Sequence, residues 1–484
     1  MPFDFSNLSP GPVWSYFYDL SQIPRCSKHE ERVITYIEEF AEKHNLPYKK
    51  DNAGNICISK PASSGFESRP AVVLQGHVDM VCEKNTDVQF DFNTEGLKLK
   101  REGEWITAEG TTLGADNGIA VAMALAVLAD SSLTHGPLEA LFTVDEETGL
   151  TGAANLDPSM VSGDILFNID SEEEGIFYIG CAGGITTIGT IPVSIGTSKE
   201  KTEAYSLRIA GLRGGHSGAE IHEGRGNSVV FCSRILKALT DETKVSLFQI
   251  DGGDKHNAIP RECSASFTVG KGMEEQIVQI VEKYRSILLE EYSDIEPDLK
   301  VELIKLDSTP EKVLSASDSV KIIDTLFILP HGVIGMSRKL PGLVETSTNL
   351  AAVHLKDSTV TILTSQRSST MSALDHIALK VRTILTHAGA EIKLEGEHPA
   401  WDPDPDSGIL KTFKKVYTES TGKEPEVTAI HAGLECGVLG EKFENMEMIS
   451  FGPDMKEVHT PNERLSIPSV QRTWDFLLNV LKEV

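Results

Sequence analysis

The stretch "ALFTVDEETGLTGA", Ala140 to Ala153, runs an apolar segment into three consecutive acids, Asp145, Glu146 and Glu147, and then into a glycine-punctuated turn. Its apolar part, "EALFTVDE" (139–146), lacks polar alternation, which is the pattern of a short strand buried on both faces. Like charges side by side repel, so acids gathered at the end of such a strand call for a cation. Two more strands of this texture lie on either side in the chain, "AVVLQGHVD" (71–79) and "DILFNID" (164–170). An Ala-rich helix opened by "GADNG" falls between the first two. Upstream, "HEERVITYIEEFAEKHNL" places Val33, Ile34, Ile37, Phe40 and Ala41 at amphipathic helical spacing. Apolar strands interleaved with helices predict an α/β domain, a mostly parallel sheet with helices on both faces.

From about Thr187 the texture changes. Segments 203–210, 261–269 and 299–306 alternate as half-exposed strands, and helices such as "NSVVFCSRILKALT" are one-sided. This predicts α+β structure with a sheet open on one side. The Pro-rich "EHPAWDPDPDSGIL" (397–410) marks a boundary, after which a strand in "EKFENMEMISFGPD" and a final helix rejoin the first domain. The expected organisation is 1–187 and 398–484 as one domain, with 188–397 inserted.

A net charge of -27 argues against nucleic acid and anionic membrane surfaces as partners. The longest apolar run, Ile119 to Ala129, has 11 residues and is too short to cross a bilayer. "MPFDFSNLSP" carries no basic segment followed by an apolar run, so no targeting signal is read there. The seven cysteines are scattered and form no C-x-x-C pair. That predicts reduced thiols in a cytoplasm, neither a disulfide frame nor a cysteine zinc site.

The chemistry concentrates at the strand ends. The first strand ends in His77 and Asp79, the second in Glu146 and Glu147, the third in Asp170, and Asp116 stands just before the Ala-rich helix. Sites in open parallel sheets form at the carboxyl ends of strands. His77 and Asp79 are two apart and share a strand face, so Asp79 suits the carboxylate that orients a metal-bound imidazole. Taken singly, H-x-D is a common structural pair, and Asp116 suits a helix N-cap. As a set they suggest more. Glu146 and Glu147 can share a cavity only if the chain bends after the strand, and a hydrolytic metal site needs both a ligand and a separate base. The run Glu172 to Glu174 reads as a solvated loop, and His459 in "EVHTPNER" as a distant ligand. Asp116, Glu147 and Asp170 carry three negative charges, which favours two divalent ions with Glu146 left outside as base. Imidazole and carboxylate ligands suit zinc, with manganese or cobalt as alternatives.

Together "QGHVDMVCEK", "GTTLGADNGIA", "FTVDEETGLTGA", "NIDSEEEG" and "HAGLECG" resemble the aminoacyl-histidine dipeptidases, of the dinuclear-zinc peptidases that include aminoacylases and carboxypeptidases. Ala120 stands where many relatives have Gly. The resemblance implies that His77, Asp116 and Asp170 hold one zinc and that Asp116, Glu147 and His459 hold the other, with Asp116 bridging. It implies that Asp79 orients His77 and that Glu146 activates the water. The inserted domain is then a lid, and His216 in "GLRGGHSGAEIHEGRGN" a donor to the oxyanion, with His222 as its rival. Asn257 in "KHNAIPRE" is expected to bond the peptide terminus. Arg367 in "TSQRSST" is the candidate clamp for the substrate carboxylate, since a guanidinium offers a planar fork. Roles for His431 and Glu435 stay open. The implied activity is cytoplasmic dipeptide hydrolysis, with Xaa-His peptides such as β-alanyl-histidine as substrates, in a monomer or homodimer. The alternatives are a tripeptidase, aminoacylase or carboxypeptidase of the same superfamily, or a non-catalytic metal- or peptide-binding protein.

Overall fold

The structure, a computed structural model, describes residue 5, residues 7–198 and residues 201–484. The apolar runs become four neighbouring parallel strands: β1 (Val72–His77), β2 (Leu138–Thr143), β3 (Ile165–Asn168) and β4 (Glu447–Ser450), in spatial order β2-β1-β3-β4. Every residue of β1 and β2 is buried, as strands covered on both faces must be. Val72 pairs with Leu138 and with Ile165, and His77 pairs with Thr143. The three strands therefore start level, and the chain leaves them at one edge. The sheet is mixed at its margins. Ile56–Lys60 runs antiparallel to β2, and Ile176–Cys181 antiparallel to β4.

On one face Val73, Leu141 and Leu166 pack with Cys436, Val438 and Leu439 of the helix Glu435–Lys442. Elsewhere the helices α1 (Gly11–Ser21) and α3 (Ala115–Ala129) pack together, and α3 lies on β1. Small residues let α3 approach closely: a Cβ added at Gly76 would stand 2.8 Å from Ala120 Cβ. The helix α2 (Glu31–Lys43) buries Val33, Ile34, Ile37, Phe40 and Ala41, the five residues that its spacing singles out. Phe167 of β3 meets Phe413 edge-on at 4.9 Å between ring centroids, and Phe177, Phe451 and Phe476 each stand 5.3 Å from Phe413.

The chain divides into two compact units, residues 1–181, 401–429 and 434–484 in one, and 182–400 with 430–433 in the other. The second unit is built on an antiparallel sheet in which the strands Val344–Lys356 and Thr359–Ser368 form a hairpin. Helices Ser228–Glu242, Glu274–Glu291, Ala316–Ile328 and Met371–His387 contribute to its core with Leu207, Phe267, Leu350 and Ile362.

The expectation of reduced thiols throughout is corrected at one pair. Cys26 and Cys82 form a disulfide with Cα atoms 5.7 Å apart, while Cys57, Cys181, Cys232, Cys263 and Cys436 are buried and free. A β-bridge between Cys26 and Met80 brings the two together across 56 residues of sequence, which no cysteine spacing could indicate. Among the described residues, no helix is long and apolar enough to cross a membrane.

Candidate metal centre

The acids after β2 come together through a bend at Asp145. β2 stops at Thr143, and Asp145 adopts a left-handed conformation with φ 51°, which aspartate tolerates better than most residues. Its carboxylate accepts hydrogen bonds from the hydroxyls of Thr148 and Thr151, and its N–H donates to Glu30 Oε1 at 3.0 Å. The turned chain then aims two successive N–H groups at one carboxylate. Glu146 N donates to Asp79 Oδ1 at 3.0 Å and Glu147 N to Asp79 Oδ2 at 3.2 Å. Asp145 thus shapes the turn, and one atom each from Glu146, Glu147 and His77 lie within 4.8 Å of one another.

Asp116 stands at the middle of the cluster. Its Oδ1 is 3.2 Å from His77 Nε2, and its Oδ2 is 3.0 Å from His459 Nε2. His77 Nε2 lies 3.5 Å from Asp170 Oδ1, His77 Nδ1 lies 3.2 Å from Asp79 Oδ1, and His459 Nε2 lies 3.0 Å from Glu147 Oε2. Two ligand-type sets follow, His77 with Asp116 and Asp170, and Asp116 with Glu147 and His459, each within 4.8 Å. Asp116 does not spend its carboxylate on capping the helix: its backbone is extended at φ -78° and ψ 109°, where the first turn is kinked, and its two oxygens face His77 and His459.

The donor set fits divalent cations. Among the described residues Glu147 Oε1 is buried without a hydrogen-bond partner, a costly state for a carboxylate oxygen unless a cation meets it. Burial opposes a charged imidazole at His77, but Asp170, Asp116 and Asp79 outweigh it and lift its pKa well above the ordinary value. Hydrogen bonding to Asp116 and Glu147 pushes His459 up to about 11. Burial raises Asp170 to about 6 and raises Glu146 well above the usual carboxyl range. Burial also works to raise Asp79, but His77, the Ser27 hydroxyl and the Glu146 N–H prevail and hold it at about 2.

Sequence reasoning left Glu435 without a role and did not single out Ser27, Gln75, Thr143 or Asn168. Ser27 Oγ donates to Asp79 Oδ2 at 2.7 Å. Glu435, fully buried, accepts from Gln75 Nε2 at 2.6 Å and Thr143 Oγ1 at 2.7 Å, and Asn168 Nδ2 donates to Gln75 Oε1 at 2.6 Å. This network crosses β2, β1 and β3 beneath the site, and burial pushes Glu435 up to about 7. A signal was present in the sequence: Gln75, Thr143 and Asn168 are polar residues within apolar strands, each two before a strand-end residue, His77, Asp145 and Asp170.

His216, Arg367 and Asn257 belong to the second unit. His216 Nδ1 accepts from Gly218 N at 3.3 Å and Ala219 N at 3.0 Å, so the proton of the neutral ring sits on Nε2. Burial and the neighbouring Arg367 lower His216 to about 4. Arg367 is 8% exposed and lowered by burial to about 10, and among the described residues no acid lies within ion-pair distance of it. A Cβ on Gly218 would meet both His216 and Arg367, so the two are neighbours. His431 also borders Gly218 through its carbonyl, and its Nε2 stands 2.8 Å from Ser347 Oγ. His222 is exposed. Asn257 is exposed on a loop and accepts from Ser217 N through its carbonyl at 2.8 Å.

A carboxylate–imidazole cluster at the carboxyl ends of a parallel sheet, with two ligand-type sets sharing one aspartate, has the groups that could hold a metal ion for hydrolysis. Residues 73–483 match the profile of Peptidase family M20/M25/M40, and the chain belongs to that family of metallopeptidases. It is 39% identical over 481 residues to the cytosol non-specific dipeptidase of Escherichia coli, covering 99% of each chain. The crystal structure of aminoacylhistidine dipeptidase from Vibrio alginolyticus superposes with a TM-score of 0.93 at 39% identity, covering 100% of this chain and 98% of that one. Aminopeptidase PepT from Bacillus cereus shares the fold, with a TM-score of 0.57 at 14% identity over 98% of this chain and 99% of that one.

Proposed function

We propose that this chain is a cytoplasmic dinuclear zinc dipeptidase acting on Xaa-His peptides, β-alanyl-histidine among them. The observation that carries the reading is Asp116, with one oxygen toward His77 and the other toward His459. Both relatives at 39% identity are dipeptidases, which supports dipeptides as the substrate class, and one of them, an aminoacylhistidine dipeptidase, supports the histidine preference. The other is a cytosol dipeptidase, which supports the location.

In this reading His77, Asp116 and Asp170 would hold one ion, and Asp116, Glu147 and His459 the other. Bound there, the ions supply Lewis acidity that polarises the scissile carbonyl and acidifies water. Asp79 holds the His77 ring in orientation. Glu146, held beside His77 and Glu147 by its N–H bond to Asp79, is suited to take a proton from the attacking water and pass it to the leaving amine. The second unit serves as the lid. Its neutral His216 keeps Nε2–H free to donate to the developing oxyanion. The Arg367 guanidinium, buried and, among the described residues, without an acidic partner, suits the substrate carboxylate, and Asn257 the peptide terminus.

The test is metal analysis together with hydrolysis of β-alanyl-histidine, other Xaa-His dipeptides, tripeptides and N-acyl amino acids, before and after chelation. Two ions per chain and chelator-sensitive dipeptide cleavage are expected. Glu146→Gln keeps both ions and loses at least about 100-fold in kcat. Rapid N-acyl cleavage without dipeptide cleavage overturns the substrate assignment, and a fully active Glu146→Gln overturns the base. Sedimentation analysis distinguishes monomer from homodimer.

A further inference from the structure

Two buried charges of opposite sign lie behind the ligands, and neither belongs to the ligand sets. Glu463 is 2% exposed and follows His459 by four residues. Its carboxylate accepts from Leu113 N at 2.7 Å, Ala115 N at 2.8 Å and Gly114 N at 3.0 Å, with Asp116 N at 3.4 Å. Arg25 is also 2% exposed. Its Nη1 donates to Val78 O at 2.9 Å and Asp79 O at 3.0 Å, and its Nη2 donates to Gly114 O. Among the described residues no carboxylate lies within ion-pair distance of Arg25, and no basic side chain lies within that distance of Glu463. The charges meet through the peptide between them, which gives its N–H groups to the acid and its carbonyl to the guanidinium.

The glycines of "GADNG" make this possible. A Cβ at Gly114 would lie 2.5 Å from Arg25 Nη2, and one at Gly118 would lie 2.6 Å from it. Gly114 also has φ 64°. The helix-opening motif is thus cut to admit a guanidinium as well as to present Asp116.

We propose that Arg25 and Glu463 are positioning residues that together set the Asp116 carboxylate between the two ligand sets. Arg25 ties the Asp116 loop to Val78 and Asp79, the two residues that follow His77 at the end of β1. Glu463 ties the same loop to the segment that carries His459, and Thr107 Oγ1 anchors that segment by donating to Glu463 O at 2.9 Å. Because each oxygen of Asp116 faces a different histidine, a small rotation of residues 113–116 misplaces both sets together. This rests on the two-ion reading given above.

The test is a zinc titration against a chromophoric chelator on the metal-free full chain, alongside amide exchange of residues 113–116 and steady-state kinetics. Glu463→Gln keeps the shape but sets an amide NH2 against backbone N–H donors. In the folded variant, zinc affinity is expected to fall about 10–100-fold, the range typical of outer groups that orient ligands. The amides of 113–116 exchange faster, and kcat falls while KM holds, since neither residue faces substrate. Gly118→Ala, which displaces Arg25 from the other side without touching a charge, lowers zinc affinity in the same direction. If Glu463→Gln is poorly folded, Gly118→Ala and Arg25→Lys carry the test. A folded Glu463→Gln or Gly118→Ala with wild-type zinc isotherms, whatever its melting temperature, overturns the proposal and leaves only a structural role. A wild-type isotherm with one ion overturns the two-ion reading instead, and the frame is then judged by the shift in that single isotherm.

Discussion

Asp79→Asn probes the group that gathers most of the site. The Asp79 carboxylate is fully buried and collects four contacts, from Ser27 Oγ at 2.7 Å, Glu146 N at 3.0 Å, Glu147 N at 3.2 Å and His77 Nδ1 at 3.2 Å. Asparagine keeps the shape but offers one accepting oxygen. If that oxygen stays with His77 and Glu146 N, the new NH2 faces Ser27, whose hydroxyl can turn to accept, and Glu147 N, which cannot. One buried N–H is therefore orphaned, at a cost of about 1–3 kcal/mol. The lost charge gives a second measure. Depression of the carboxyl from 3.8 to about 2 corresponds to about 2–3 kcal/mol of preference for the ionised form. The folded pKa is below the unfolded one, so this stability is present above pH 3.8 and is lost as pH falls toward 2. Urea unfolding of the metal-free proteins at pH 7 is expected to show a deficit of about 2–4 kcal/mol for the variant, shrinking as pH falls toward the wild-type carboxyl's range. Zinc competition is expected to show affinity lower by about 10–100-fold, because His77 loses its orienting partner and Glu147 its anchored backbone. Unchanged stability together with zinc affinity within about twofold of wild type would refute the assignment of Asp79 as the organiser of both.

Other outcomes follow from the same structure. Phe413 is fully buried among four aromatic rings, so Phe413→Ala is expected to lower unfolding stability by about 3–5 kcal/mol, and a loss under 1 kcal/mol in urea titration would contradict that packing. Burial, then the nearby Arg367, lowers His431 to about 3. Its contribution is therefore complete above pH 6.5 and drains as pH falls below that, at up to about 1.4 kcal/mol per pH unit. His431→Gln is expected to flatten that part of the stability profile, and parallel profiles for the two proteins would count against a buried neutral imidazole. Chelation is expected to lower the melting temperature, because ions present at 1,000 times their Kd stabilise the folded chain by about 4 kcal/mol; an unchanged Tm on removing bound metal would deny coupling between the ligand cluster and the fold.

The readable part of this protein is its local pattern. Unbroken apolar runs announced β1, β2 and β3, and the change to alternation announced the antiparallel sheet of the second unit. Strand-end acids and histidines stood out because polar residues cost most where a buried strand stops. Helix α2 was legible down to its buried face, since 3.6-residue spacing is written in the order of residues.

What the sequence determined by itself was therefore the identity of the chemical groups and the elements that carry them. Tertiary structure alone decided their relations. The level start of β1, β2 and β3 sets His77 beside the turn after β2, and the left-handed Asp145 makes two adjacent glutamates face one cavity. The same is true of the Cys26–Cys82 pair, of Glu435 under Gln75, and of Glu463 beneath Leu113 to Asp116. These partners are separated by 56, 360 and about 350 residues. Periodicity reports which face a residue takes within its own element. It carries no term for strand register or turn handedness, which place distant charges within hydrogen-bonding distance.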